Sequence, residues 1–278
     1  MKGAYSTRHD GRFLRLSAVA FVDLLGFKNK VIEADKTEDS RGTSSELLQH
    51  VRQFIRTWRR ALRDRPFGSQ DRSRSWEVRI FSDSMAISHP ITLQELSGDF
   101  EMGSLLSQIS LLQLGAITED FFFLRGGLGI GDMFVGRDTV FGVALVEAYR
   151  AESCVADVPR IVLAVSAEDF VMRSVGPRPS FDAPYVREVL RDEDGCLFVN
   201  YLQSCIQTSG EPPISEWVQK HRDATAEALG RHKENPGILR KYAWVARYHN
   251  YWCSVQGLDE FQLEGAGILG ATTLERPS

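Results

Sequence analysis

The chain is poor in the residues that would point to several common functions. Its 278 residues hold four cysteines, Cys154, Cys196, Cys205 and Cys253, with no C-x-x-C pair. That favours free thiols in a reducing compartment over disulfides or zinc. A basic excess is also missing. The formal charge of -4 and the pI near 5.9 leave no electrostatic footprint for nucleic acid. No apolar run approaches the roughly 20 residues of a membrane span. The opening stretch MKGAYSTRHDGRFLRLS lacks the apolar core of a signal peptide, so a cytoplasmic protein is expected. His9, His50, His89, His221, His232 and His249 show no metal-ligand spacing. None stands near a serine or cysteine nucleophile motif, which leaves hydrolase chemistry without support. The rest is ordinary globular composition, 43% hydrophobic and 25% charged. It suffices for one large domain or a catalytic domain with an appendage.

Against this background one stretch stands out, AVAFVDLLGF, residues 18–27. Ala18 to Val22 read as a strand buried on both faces. Asp23 ends that strand, and a buried carboxylate needs a compensating partner. Gly26 then permits a sharp turn with close backbone approach. Strand, carboxylate and glycine turn together suggest a metal and phosphate corner. Taken alone, Asp23 reads as a cap or a strand end before it reads as a ligand.

In chain order, residues 28–43 are charged and loop-like. Ser44 and Ser45 are plausible caps for an amphipathic helix ending near Arg63, built on Leu47, Leu48, Val51, Phe54, Ile55, Trp58, Ala61 and Leu62. Its outer face carries Arg52, Arg56, Arg59, Arg60 and Arg63, a solvated basic face by default. After a linker at 64–75, two strand-like runs flank Ser82-Asp83-Ser84, a tight hairpin with Asp83 at its tip and Pro90 at its end. A helix runs to about Asp120, then FFFLRGGLGIGDMFVG forms a strand that becomes glycine-rich. Gly127, Gly129 and Gly131 do not form a dinucleotide fingerprint. That motif needs a helix opening directly on the glycines, and Asp132 to Val135 read as strand. Asp132 itself is explained by turn chemistry. Residues 141–153 form a helix, 160–165 a buried strand, and a further helix follows. Three prolines at 176–184 close this module. A short strand and two helices remain, and Pro236 fits the first turn of the last. The β-α-β-β-α-β-β-α-β order of the first 170 residues is an α+β, ferredoxin-like core with an inserted hairpin. The expected division is 1–175 for the core and 176–278 for a mostly helical extension.

In a βαββ order the first strand lies beside the hairpin strands, which brings Asp23 and Asp83 to one sheet edge. Adjacent carboxylates repel, and a divalent cation removes the conflict. Mg²⁺ is commonly held by one or two carboxylates plus substrate phosphates. Arg150, on the polar side of a helix, can supply a guanidinium fork to a phosphate.

Over roughly residues 15–170 the chain resembles the class III nucleotidyl cyclases. Within that class it is most similar to the pyrimidine cyclases of bacterial Pycsar antiphage defence. The resemblance rests on AVAFVDLLGF, VRIFSDSMAIS, LRGGLGIGDMFVG and TVFGVALVEAYRAES in the family's order and spacing. It implies a head-to-tail homodimer with shared active sites and two Mg²⁺ or Mn²⁺ ions per site. Asp23 and Asp83 match the metal aspartates, with the carbonyl of Leu24 as a further ligand. The amides of Leu25, Gly26 and Phe27 would face the triphosphate. Arg150 matches the arginine that stabilises the transition state. Arg79 and Thr139 take the positions of the base-reading pair, and Val146 stands where many members have asparagine. Arginine and threonine in place of lysine and aspartate argue against ATP, and an arginine donor suits a uracil carbonyl. The expected function is conversion of UTP to 3′,5′-cyclic UMP and pyrophosphate, a second messenger sensed by a separate effector. The alternatives are CTP or a purine triphosphate on the same fold, or a silent nucleotide- or partner-binding module. No GGDEF-like signature supports a diguanylate cyclase.

Overall fold

The computed structural model describes residues 5, 14–64, 76–91, 99–136, 138–174, 187–207, 213–265 and 274–277. Strand β1 (Arg15–Leu24) lies inside the sheet, flanked on both edges. Helices α1 (Phe27–Asp35) and α2 (Ser40–Asp64) follow it. Next come the hairpin β2 (Glu77–Phe81) and β3 (Ser84–Pro90), helix α3 (Asp99–Asp120) and strand β4 (Leu124–Val135). These four strands lie in the order β2-β3-β1-β4, with β1 antiparallel to both β3 and β4. That is the split βαβ arrangement expected of the N-terminal core. Strand β5 (Val140–Gly142) folds back on the end of β4 and leads into α4 (Val143–Arg150). A π-helical turn, Ala151–Val155, continues α4. Strand β6 (Ile161–Leu163) then pairs parallel with β4 and leads into α5 (Val165–Ser174).

The period of two along β1 sorts its side chains. Ala18, Ala20, Val22 and Leu24 join Val51 and Phe54 of α2 and Leu105, Ile109 and Leu112 of α3 in the main core. Val19 faces the other way, into a smaller cluster with Met133, Ala144 and Ala148. Asp23 shares that second face by parity. Glycines on β4 let α4 settle there: a Cβ at Gly129 would lie 2.7 Å from the carbonyl oxygen of Ala144. Close backbone approach is thus why this strand is glycine-rich.

Residues 28–43 are not a loop. Helix α1 fills 27–35, started by the left-handed Gly26 (φ 77°), whose carbonyl accepts from the amides of Asn29 and Lys30. Only Ala34 of α1 is buried, so the helix carries no apolar stripe to betray it. Helix α2 begins at Ser40, ahead of Ser44, because Asp39 supplies the cap: its Oδ1 accepts from the amide of Gly42 at 3.0 Å. The helix expected from 141 begins at Val143, since Phe141 is taken by β5.

After the prolines at 176–184, which lie outside the described residues, β7 (Val189–Arg191) and β8 (Leu197–Val199) extend the same sheet beyond β6. Short α6 (Ser204–Gln207) precedes α7 (Ile214–Arg231) and α8 (Pro236–Gln256). Asn235 caps α8 by accepting from the amide of Ile238, with Pro236 in the first turn. The aromatic stripe of α8 is packing: Trp244 and Tyr248 lie against Phe198 of β8. Buried Arg160 pairs with Asp192, which also accepts from Trp244 Nε1 at 2.8 Å. No helix among the described residues is long and apolar enough to cross a membrane.

Candidate functional site

The register places Asp23 directly between Ser84 of β3 and Arg125 of β4. Both neighbours touch it. Ser84 Oγ donates to Asp23 Oδ1 at 3.0 Å, and Arg125 Nε donates to Oδ2 at 3.3 Å. Asp83 sits at the hairpin turn beside Ser82, whose φ of 59° is rare for a side-chain-bearing residue. Its carbonyl accepts from the amide of Leu24 at 3.3 Å, tying the hairpin tip to the end of β1. Burial pushes the Asp23 carboxyl above the usual carboxylate range, and the Asp83 charge beside it pushes the same way.

Two residues of this corner were not singled out from the sequence. Arg125 Nη2 reaches Glu152 Oε1 at 2.8 Å, so one guanidinium spans Asp23 and Glu152. Glu152 lies in the π-helical turn and is only 4% exposed. Burial raises its carboxyl, against the pull of Arg125, and the charges of Asp23 and Asp83 raise it further. Two carboxylates thus share one arginine, with the charge of Asp83 beside them. The signals available were the arginine immediately before the glycine run and the acidic residue two places beyond Arg150. Neither indicates a pair until the β1–β4 register and the end of α4 are known.

The turn after β1 supplies backbone donors unevenly. The amide of Leu25 is spent on the carbonyl of Phe123 at 2.8 Å. Gly26 and Phe27 stand at the start of α1, where amides have no partner within the helix. Of the three amides expected to face an anion, Leu25 is therefore engaged inside the fold.

The remaining candidates lie elsewhere. Arg79 of β2 is held by the loop after β4: Nη2 donates to the carbonyl of Gly136 at 2.8 Å and Nε to the same oxygen at 3.3 Å. Its Nη1 donates to the carbonyl of Val78 at 3.0 Å and pairs with Glu77 at 3.2 Å. Thr139 is exposed in that loop, and its carbonyl accepts from the amide of Gly136 at 2.7 Å. The structure therefore brings Arg79 and Thr139 to one loop. It joins neither to Asp23 or Asp83 by any hydrogen bond or ion pair among the described residues. Thr139 does not cap α4, because Gly142 precedes that helix. Arg150 is exposed at the end of α4. Asp132, opposite Leu16 on β4, points away from Asp23 by parity.

A band of exposed apolar side chains flanks Arg150. Phe141 is 64% exposed, Val146 48% and Tyr149 51%, with Val143 and Phe81 also exposed. Tyr149 meets Phe21 edge-on at 5.5 Å between centroids.

The donor chemistry of the corner fits a hard divalent cation. It offers two crowded carboxylates, one held protonation-prone by burial and by the charge of the other, and no imidazole or thiolate is part of it. Among the described residues no group of three or more His, Cys, Asp or Glu is gathered in a metal-binding arrangement. Further oxygens would come from backbone and substrate.

No protein-family model matches the sequence, and no curated protein matches it. Among solved structures, the guanylyl cyclase Cya2 is similar at 11% identity and a TM-score of 0.41, covering 67% of this chain and 91% of that one. A class III adenylyl cyclase-like ATP-binding protein from Pseudomonas aeruginosa is similar at 11% identity and a TM-score of 0.37. That match covers 59% of this chain and 37% of the other.

Proposed function

We propose that the chain is a pyrimidine nucleotidyl cyclase that converts UTP to 3′,5′-cyclic UMP and pyrophosphate. The observation that carries the reading is the meeting of Asp23 and Asp83 beside the left-handed Gly26 turn that opens α1. Asp23, Asp83 and the carbonyl of Leu24 would hold Mg²⁺ or Mn²⁺, which when bound would supply charge neutralisation at the phosphates and acidification of the 3′-hydroxyl. The amides of Gly26 and Phe27 face the triphosphate at the positive end of α1. Arg125 keeps Asp23 available as a carboxylate by offsetting the charge of its neighbours. Arg150 stabilises the charge that builds on the phosphoryl oxygens. It acts from a second copy, joined head to tail through the apolar band around Val146 and Tyr149. Arg79 and Thr139 read the base across the same interface. With four donor contacts spent on Gly136, Val78 and Glu77, Arg79 keeps one N–H, which suits a single carbonyl of uracil. By the family resemblance, the product is a messenger made on phage infection and read by a separate effector.

Incubation with all four nucleoside triphosphates and Mn²⁺, read by product mass, tests the reading. Cyclic UMP is expected. Cyclic CMP would move the base assignment to cytosine, and cyclic AMP or GMP alone would overturn the pyrimidine argument. Asp83→Ala is expected to abolish product while the fold is retained; unchanged turnover would remove the metal assignment. A second reading, a silent nucleotide-binding module, draws on the engagement of Asp23 by Arg125 and Ser84. Nucleotide binding with no cyclic product from any triphosphate would select it.

A further inference from the structure

Behind the Gly26 turn, away from Asp23, lies a cleft between the start of α1 and the two long C-terminal helices. Leu25 and Lys30 line one side, Phe123 the floor, and Arg231, His232 and Tyr242 the other side. It is a shallow opening, with an enclosed volume of about 40 Å³, so an occupant would seat only a small charged group in it and leave the rest in solvent.

Three cationic or protonatable side chains converge there with one carboxylate, Glu227, which already pairs with Arg231. Lys30 has no ion-pair partner among the described residues, and its ammonium lies 4.6 Å from the centroid of the Phe122 ring. Burial holds its proton more loosely than usual, and the charge of Arg231 adds to that. His232 is depressed by burial, Arg231 and Lys30, while the carboxylate of Glu33 pulls both His232 and Lys30 the other way. Like charges crowded around an opening favour an anion. A neutral donor adds to this. Tyr242 is 8% exposed and stacks on His232, and its hydroxyl has no hydrogen-bond partner among the described residues. At the rim stands Phe121, with a φ of 54° that a side chain rarely adopts. Backbone strain of this kind persists where the surroundings fix it, and it clusters at ligand sites.

We propose that this cleft binds a small phosphate-bearing molecule, with Lys30 and Arg231 taking its charge and Tyr242 donating a hydrogen bond. Leu25 connects the cleft to the acidic corner. It lines the cleft, its amide is held by Phe123, and the Gly26 turn follows it directly. An occupant that shifts Leu25 therefore shifts the turn, so the ligand modulates turnover; this consequence rests on the cyclase reading, while the site does not.

Calorimetric titration of the metal-free, nucleotide-free protein tests the site, with inorganic phosphate and uridine monophosphate as separate probes. Phosphate is expected to bind the wild type and Asp83→Ala alike. The Lys30→Gln/Arg231→Gln double variant should bind about tenfold more weakly or worse. Equal affinity in the double variant, no binding by the wild type, or loss of binding in Asp83→Ala would each overturn the site. Should the double variant fail to fold by circular dichroism, Lys30→Gln and Tyr242→Phe are read singly with the same expectation. Tighter binding of the monophosphate identifies an organic phosphate as ligand, and equal binding identifies free phosphate. In a turnover assay phosphate should alter the wild-type rate and leave a folded cleft variant unaffected. Binding without any change in rate removes the coupling to the turn. Absence of any cyclic product removes the cyclase reading, and the binding result stands independently of it.

Discussion

A methyl group at position 127 would sit 2.1 Å from the carbonyl oxygen of Ala148 and 2.8 Å from the amide nitrogen of Glu152. Backbone cannot yield as a flexible side chain does, so Gly127→Ala must push α4 and its π-helical turn off the sheet. Overpacking of this kind costs about 1–3 kcal/mol, and the denaturant midpoint should fall accordingly. Gly230→Ala is the matching control. It lies near the end of α7 with nothing within 4 Å of its would-be Cβ, and should gain up to about 1 kcal/mol. If both variants shift alike, the close approach of α4 to β4 is not what the glycine serves. At this scale the sequence was legible where one residue type admits one explanation. Glycines inside a strand signalled a bulge or a close approach, of which the structure shows the approach, and the dinucleotide fingerprint was rejected because strand rather than helix follows the glycines. Arg125 and Glu152 were not legible, because a charge pair between a strand and a helical turn exists only once register and helix length are set.

Helices α7 and α8 show what pattern alone misses. Their apolar and aromatic positions marked both as helical, yet the contact between them is a chain of polar groups. Tyr201 Oη lies 2.9 Å from His221 Nε2, His221 Nδ1 lies 3.0 Å from His249 Nδ1, and His249 Nε2 lies 3.0 Å from the carbonyl of Phe261. A carbonyl only accepts, so His249 Nε2 carries a proton. His249 Nδ1 then accepts from His221, and His221 Nε2 accepts from Tyr201. Every donor is matched while both rings are neutral, and a further proton leaves two N–H groups facing each other. Burial pushes His221 well down and His249 to about 4. A depressed histidine means that the unfolded chain binds more protons below its ordinary value near 6.5. Stability from His249 is therefore full above about pH 6.5 and is lost as pH drops to about 4, while the more deeply depressed His221 continues the loss at lower pH. Asp23 and Glu152 pull the other way, since their raised carboxyls make acid favourable to the fold. The informative measurement is a difference: denaturation from pH 4 to 7 in wild type and in His249→Gln, with the variant showing the shallower acid loss. Parallel curves would remove the pair from the acid response. Helix α1 marks the opposite limit. It was read as loop because it buries almost nothing, and its turn and its neighbour α2 set it instead.

On the scale of the molecule, the strand order of the N-terminal core was readable from the β-α-β-β succession of elements. The joining of the last hundred residues to it was not. Strands β7 and β8 extend the same sheet, and buried residues from Ala18 to Leu274 form one cluster. Three-residue strands give too short a run for alternation to register. The ties across this join, Arg160 to Asp192 and Trp244 to Asp192, are again charge and hydrogen-bond pairs with no sequence period. The proposed shared site makes a demand that neither half can meet alone. Asp83 and Arg150 belong to different copies at each site, so Asp83→Ala and Arg150→Ala should each be inactive. Mixing them and letting subunits exchange produces heterodimers in which one site has lost both residues and the other has lost neither. With random exchange half of the dimers are mixed, each with one intact site of two, so about a quarter of wild-type turnover should return. Recovery requires exchange, and it should vanish when the apolar band is disrupted by Val146→Arg, a half-exposed position on α4 whose charge would repel Arg150 across the seam. No recovery between folded, exchanging subunits would place both residues in the same site of one chain. Recovery that survives Val146→Arg would move the interface away from α4.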